Sequence, residues 1–288
     1  MISIVVPAYN EEENIKNVLR DIKDTIQDSE QKFEIIVVDD GSTDKTAEIV
    51  SSDKDVKIVR HPYNKGYGAS LKTGARVAQG DFILYIDADN QHNPQDILKL
   101  IRHTDKYEMV IGARTKKSKT SMLRWLGRGI LSLIANYLAG MKIPDLNSGF
   151  RVIRRDIIME FMPILPNTFS FTTTITLLAI KAGYNIKYIP IDTTERIGTS
   201  KIKPFSDGFR FVMLILRTIM LFSPLKIFLP VSVVLFIIGL FWLLYEGILF
   251  LNIGDVPILF IISSIIVFLF GLLADQISLM RKNIGKDY

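Results

Sequence analysis

Two aspartates one residue apart, Asp87 and Asp89, followed by Gln91 and His92, are the residues of this chain best placed to do chemistry. They end an apolar run, Phe82 to Ile86, that reads as a buried parallel strand. Open α/β sheets bind ligands at the carboxyl ends of their strands. An Asp-x-Asp pair in that position offers hard carboxylate oxygens where a divalent cation and a diphosphate can meet. Mg2+ and Mn2+ prefer such oxygens and are usually held by one or two carboxylates plus substrate phosphates. The plainer reading of the same residues is that Asp89 and Asn93 cap a following helix.

A second acidic strand end stands upstream. Phe33 to Val38 reads as a buried strand ending in Asp39-Asp40-Gly41-Ser42-Thr43-Asp44. Adjacent acids there are costly unless they are solvated or bind something. A nucleoside supplies suitable donors, from the base imide or the ribose hydroxyls, while Ser42 or Asp44 can also cap a helix running to about Ser52. The first strand, Ile2 to Val6, leads into Pro7-Ala8-Tyr9-Asn10-Glu11. In a nucleoside pocket Pro7 would shape the turn, Tyr9 would offer a stacking face and Glu11 would offer acceptors. Asn10 with Glu13 has the form of a capping box opening a helix through about Asp24.

The elements that position these residues alternate. Val56 to Val59 is a third strand, and the loop from His61 to Gly68 feeds a helix over Ala69 to Ala78. That helix N-terminus could face phosphate, although turn geometry accounts for both loop glycines. Met109 to Gly112 is a fifth strand ending at Ala113-Arg114. Strand and helix thus alternate over the first 115 residues, which predicts an α/β fold with a mostly parallel sheet covered on both faces. No Gly-x-Gly-x-x-Gly follows the first strand and no Walker lysine is present, which argues against dinucleotide redox and P-loop chemistry. The absence of cysteine excludes thiol catalysis, disulfides and Cys-ligated metals. A net charge of +5 suits an anionic membrane surface, a phosphate, or both, and no nucleic-acid partner is expected. Met1 runs directly into a strand, so no secretory signal is expected ahead of this domain.

Beyond residue 115 the character changes. Lys116, Lys117, Lys119, Arg124 and Arg128 lie among Leu123, Trp125, Leu126 and Ile130, a pattern suited to a helix on a membrane surface or on the domain itself. A polar turn, Asp145 to Arg151, follows; Pro166 to Gly183 reads as one helix and Tyr188 to Ile191 as a strand. After a basic segment containing Arg196 and Lys201, Phe205 to Phe222 is amphipathic and reads as interfacial. Ile227 to Tyr245 and Val256 to Ala274 contain no charged residue, and each is long enough to cross a hydrocarbon core of about 30 Å. The short link between them predicts a hairpin with both ends on one side, or a buried helical pair. Arg217, Lys226, Arg281, Lys282 and Lys286 flank it, whereas the link side carries Glu246 and Asp255, so the positive-inside rule puts the large domain and the C-terminus in the cytoplasm. The expected organisation is a catalytic domain over 1–203, an interfacial helix over 204–224, a hairpin over 225–280 with spans at about 227–251 and 256–279, and a tail over 281–288.

Five motifs now occur in order: Val5-Val6-Pro7-Ala8-Tyr9-Asn10-Glu11-Glu12, Val38-Asp39-Asp40-Gly41-Ser42-Thr43-Asp44, Asp87-Ala88-Asp89-x-Gln91-His92, Asn147-Ser148-Gly149-Phe150-Arg151 and Arg196-x-Gly198-x-Ser200-Lys201. From Ile2 to about Phe222 the chain resembles the polyprenyl-phosphate glycosyltransferases of glycosyltransferase family 2, the dolichol-phosphate mannose synthases and their bacterial relatives, which have the GT-A fold. Its C-terminus resembles the members with two transmembrane helices. The resemblance implies a nucleotide site of Pro7, Tyr9, Glu11, Asp39, Asp40 and Asp87, and a Mg2+ or Mn2+ site of Asp87, Asp89 and Gln91. It implies Arg114, Arg128, Ser148, Arg196 and Lys201 around the phosphates, and Asp145 facing the sugar or the reaction centre. Asp89, Asp145, Arg114 and Lys201 would then carry catalysis. The implied reaction is metal-dependent, inverting transfer of a sugar from a GDP- or UDP-sugar to dolichyl or undecaprenyl phosphate at the cytoplasmic membrane face. Transfer to another lipid or glycan, or a non-catalytic nucleotide-sugar-binding membrane protein, are the rival readings, and self-association is left open.

Overall fold

Apolar, β-branched runs separated by polar turns build one seven-stranded sheet in the order β3-β2-β1-β4-β6-β5-β7. The computed structural model describes residues 1–115, 136, 140, 143–193, 220, 224–249 and 254–284. Strands β1 (Ile2–Ala8), β2 (Phe33–Asp39), β3 (Val56–Arg60) and β4 (Phe82–Tyr85) are mutually parallel, with β1 between β2 and β4. Strands β5 (Met109–Arg114) and β7 (Ile186–Ile191) pair in parallel. Between β4 and β5 lies β6 (Arg151–Arg154), antiparallel to both.

The expected mostly parallel sheet is present, and β6 is the element the sequence did not announce. Its four residues follow a polar turn and run straight into a helix, too short for an alternating pattern to register. Its reversed direction has a consequence for the site. The start of β6 lies at the same sheet edge as the ends of its neighbours, as the pairs Tyr85↔Arg151 and Ile111↔Arg151 require.

The helices follow from apolar spacing. In α1 (Ile15–Ile26) the buried residues Ile15, Val18, Leu19 and Ile22 repeat at the period of one helical face. Further helices are α2 (Thr46–Ser51), α3 (Tyr67–Val77), α4 (Asp96–Ile101), α5 (Arg155–Phe161) and α6 (Phe171–Ala182). The core joins Ile4, Val6, Val37, Leu84, Val110 and Val152 of the sheet to Ile15, Leu19, Ile97 and Leu100 of the helices.

The capping box expected at Asn10 and Glu13 is not formed. The helix begins at Ile15 and Asn14 makes no side-chain cap. Asn10 instead takes a left-handed conformation (φ 55°) and accepts a hydrogen bond from the Thr43 N–H at 2.9 Å. The expected start of α6 at Pro166 also moves, to Phe171, because residues 166–168 pack against the start of α3: Ala69 N–H donates to the Asn167 carbonyl at 3.2 Å.

The chain divides into two units, Met1–Phe211 and Val212–Tyr288. The second holds α7 (Leu225–Leu249) and α8 (Asp255–Ile284), and each contains a stretch long and apolar enough to cross a membrane. Glu246 closes the turn between them, accepting hydrogen bonds from Trp242 Nε1 at 2.8 Å and from the Gly254 N–H at 2.7 Å. The expected basic helix near residues 116–128 lies outside the described residues, as does nearly all of the interfacial segment 205–222.

Candidate active site

Parallel strands deliver their carboxyl ends to one edge, so the ends of β1, β2, β4 and β5 and the start of β6 line a common rim. Pro7, buried in β1, pairs with Val38 beyond the last β1–β4 pair, where a missing N–H is tolerated. Tyr9 and Glu11 follow it, both half-buried. The Ala8↔Asp39 register sets Asp39 beside them.

Asp39 is fully buried, and its Oδ1 accepts the Ser42 N–H at 3.0 Å. Its Oδ2 has Arg60 Nε at 3.0 Å as an ion-pair neighbour, yet among the described residues no hydrogen bond is made to that oxygen. A buried acceptor left in this state fits an incoming donor. Asp40, expected in the same pocket, is engaged by the protein itself. Its Oδ1 meets His61 Nδ1 at 2.6 Å and the Lys65 N–H at 2.9 Å, and its Oδ2 accepts the Gly66 N–H at 2.9 Å. Successive residues of a strand point to opposite sides, so one acid faces the rim and the next holds a loop. Asp44 is likewise structural, accepting from the Thr46 N–H at 2.9 Å and the Glu12 N–H at 3.1 Å. Burial pushes its carboxyl up, but these donors outweigh burial and hold it below the usual carboxylate range.

At the end of β4, Asp87 and Asp89 are half-buried, and the chain turns at Asn90 in the left-handed region (φ 57°). Asp89 Oδ1 accepts the Gln91 N–H at 3.3 Å. Among the described residues no set of three or more His, Cys, Asp or Glu side chains converges. Two carboxylates and an amide are an all-oxygen set that fits Mg2+ or Mn2+ with a diphosphate and water completing its shell, and does not fit a closed zinc site. Tyr67 Oη donates to Asp87 Oδ1 at 2.8 Å. Burial first, and then the Asp87 charge, push that phenol well above its ordinary value, so it stays a donor. Tyr67 sits between Gly66 and Gly68, a pattern that reads as a turn and carries no chemical signal in the sequence.

Arg114 and Asp145 form a two-bond pair, Nε to Oδ2 at 2.7 Å and Nη2 to Oδ1 at 3.0 Å. Burial pushes the Asp145 carboxyl up, but Arg114 outweighs it and holds the carboxyl below the usual range, so Asp145 is an ionised partner of Arg114. Ser148, expected near phosphate, is turned inward: it is 2% exposed and its hydroxyl donates to the Phe150 carbonyl at 3.4 Å. Its own carbonyl accepts from Nε and Nη2 of the fully buried Arg151, which also donates to Thr176 Oγ1 at 2.8 Å. His92 stacks on Phe150 with ring centroids 5.0 Å apart, and its buried Nδ1 finds no hydrogen-bond partner among the described residues. Burial lowers it to about 4, so the imidazole is neutral at pH 7. Arg128, Arg196 and Lys201 lie outside the described residues.

Residues 3–162 match the glycosyl transferase family 2 model, and residues 223–280 match the GtrB C-terminal hairpin. An uncharacterised protein of Methanocaldococcus jannaschii is 32% identical over 227 residues, covering 74% of this chain and 91% of that relative. An undecaprenyl-phosphate 4-deoxy-4-formamido-L-arabinose transferase of Pseudomonas fluorescens is 30% identical over 207 residues, covering 66% of this chain; the match spans 61% of that longer relative. Among solved structures, glucosyl-3-phosphoglycerate synthase of Mycobacterium tuberculosis with Mn2+ and UDP-glucose superposes with a TM-score of 0.62 at 20% identity, covering 76% of this chain and 78% of that one. That likeness concerns the fold, which is GT-A-like. With its N-terminal sheet, its acidic strand ends and its apolar C-terminal pair of helices, the chain belongs to glycosyl transferase family 2 and is a glycosyltransferase.

Proposed function

We propose that the protein transfers a sugar from a nucleoside-diphosphate sugar to a polyprenyl phosphate at the cytoplasmic face of a membrane. The observation that carries this is the rim itself. A buried Asp39 oxygen that is ion-paired with Arg60 but accepts no hydrogen bond among the described residues, the carboxylates of Asp87 and Asp89, and the oriented guanidinium of Arg114 share one sheet edge. The relatives named as undecaprenyl-phosphate transferases and the match to the hairpin model support the acceptor and the membrane.

In this reading Asp39 Oδ2 accepts an N–H of the base or a ribose hydroxyl, with Pro7, Tyr9 and Glu11 forming the walls. Asp40 is a positioning residue rather than a contact. Asp87, Asp89 and Gln91 would hold Mg2+ or Mn2+. When bound, such a cation offsets charge on a leaving diphosphate. An acceptor oxygen attacks the anomeric carbon, the bond to the nucleoside diphosphate breaks, and the configuration inverts. A phosphate monoester has a second pKa near 6 and is largely dianionic at pH 7. It therefore needs no base, which agrees with Asp145 being ionised and paired. Asp145 holds Arg114 at the end of β5, where the guanidinium can meet an anionic oxygen. Arg128, Arg196 and Lys201 would add to this cationic clamp. The hairpin keeps the enzyme where the lipid phosphate lies, with the large domain and the C-terminus cytoplasmic, and so raises the effective concentration of acceptor.

The test uses full-length protein in detergent with Mn2+ or Mg2+, a short-chain polyprenyl phosphate and a panel of radiolabelled GDP- and UDP-sugars. Label from one donor entering the organic phase, and abolished by EDTA, is the expected result and names the sugar. Bound nucleotide without transfer from any donor would overturn the polyprenyl-phosphate acceptor.

A further inference from the structure

We propose that Tyr67 is a positioning residue for the cation site, fixing the orientation of the Asp87 carboxylate through its hydrogen bond to Oδ1. This rests on the reading of Asp87 as a metal ligand. The geometry has three parts. First, the Tyr67 hydroxyl donates to Asp87 Oδ1 at 2.8 Å. Second, the Tyr67 ring is trapped: it stacks on Phe169 with centroids 5.1 Å apart and planes 17° from parallel. Third, the backbone of Gly149 passes close by. A Cβ on Gly149 would lie 2.6 Å from Tyr67 Oη and 2.8 Å from Asp87 Oδ2. The absent side chain is what lets the Asn147–Arg151 segment press against the hydroxyl and the carboxylate together.

The ring is also anchored from below. Tyr67 opens α3 immediately after Gly66, whose φ of 101° puts it where a side chain is strained. The Lys65 and Gly66 N–H groups are held by Asp40. A chain of contacts therefore runs from the acid at the end of β2, through the loop and the phenol, to the acid at the end of β4. Groups that hydrogen-bond to a metal-ligating carboxylate fix its orientation, and their loss typically lowers metal affinity about 10- to 100-fold. A phenol is well suited to this role, because it donates a proton without adding charge and its rigid ring leaves it little freedom to swing away.

The experiment measures Mn2+ binding to full-length protein in detergent by the electron paramagnetic resonance signal of free Mn2+, with and without UDP or GDP. Wild type, Tyr67→Phe, Phe169→Ala and Asp89→Ala are compared, and thermal midpoints are recorded alongside. Tyr67→Phe is expected to weaken Mn2+ binding about 10- to 100-fold, with sugar transfer largely restored by saturating Mn2+. Phe169→Ala leaves the hydroxyl and frees the ring, and is expected to shift Mn2+ affinity less, in the same direction. Phe169 is 72% exposed, so its loss leaves the fold intact. If Tyr67→Phe binds Mn2+ as tightly as wild type while Asp89→Ala does not, the role of Tyr67 is overturned and the metal site stands. If wild type shows no saturable Mn2+ binding, both fall. Should Tyr67→Phe fail to fold, Gly149→Ala decides, since its added carbon would lie 2.6 Å from Tyr67 Oη: wild-type Mn2+ affinity there overturns the proposal.

Discussion

Two strand ends of this protein carry paired acids, and they are built for different work. At the end of β2, Asp39 and Asp40 are adjacent and both buried. At the end of β4, Asp87 and Asp89 are one residue apart and both half-buried. Adjacent residues on extended chain face opposite ways, and residues two apart face the same way. The β2 pair therefore splits: Asp40 braces the loop that leads to α3, whereas Asp39 Oδ2 has Arg60 as its ion-pair neighbour and no hydrogen bond among the described residues. Asp87 and Asp89 instead lie just past the end of β4, where the chain turns at Asn90, and both stay half-buried.

The largest effect expected is at β4. Asp89→Ala should lower turnover by more than about 100-fold, on the scale of removing one electrostatic stabiliser, and chelation by EDTA should do at least as much to the wild type; a transfer assay into the organic phase reads both. Gly149→Ala should follow closely. The added carbon collides with both Tyr67 and Asp87, and misplacement of about 1 Å near a reacting centre costs roughly 100-fold. Wild-type turnover in that variant would show that the β4 end tolerates rearrangement, and the contrast with β2 would weaken.

At β2 the two acids should separate by assay. Asp39→Asn should raise the nucleotide-sugar KM about 10- to 100-fold, the range for a lost hydrogen bond to a charged group, with a smaller change in thermal midpoint. Asp40→Asn should do the reverse, destabilising the fold by about 2 kcal/mol while leaving the KM nearer to wild type. If both variants act mainly on KM, the division between brace and contact is wrong.

The smallest effect is a pH dependence at the rim. The folded protein holds His92 at about 4, whereas the unfolded chain binds that proton near 6.5. The unfolded state thus gains a proton first. Stability should fall as the pH drops from about 6.5 to about 4 and then level off with respect to this group, a loss on the order of 3 to 4 kcal/mol. Thermal midpoints of wild type and His92→Gln across that range test it; equal slopes would remove His92 as the cause.

Much of the rim was legible in the sequence because its residues sit where regular patterns stop. The apolar runs before Asp39 and Asp87 mark buried strands, and the polar turns after them mark their carboxyl ends. Ser148 shows the limit. As part of a polar turn it looks available to a ligand, yet it is packed inside because the antiparallel β6 draws its segment against the sheet. Asn10 shows another: its capping pattern is present, but the loop after β2 supplies a better partner than the helix does. The partner of Asn10, Thr43, is not near in sequence.

What the sequence by itself determined is the alternation of strand and helix, the acids at two strand ends, the lack of thiol chemistry and the two apolar C-terminal segments. These depend on local periodicity and composition, which one chain carries in full. Only the tertiary structure decided that Asp40 braces the loop after β2 while Asp39 does not, that Asp145 belongs to Arg114, and that Tyr67 and Gly149 meet at Asp87. Those relations join residues far apart in sequence, through strand order and a reversed β6. Such pairings are set by packing across the sheet, for which local pattern has no signal.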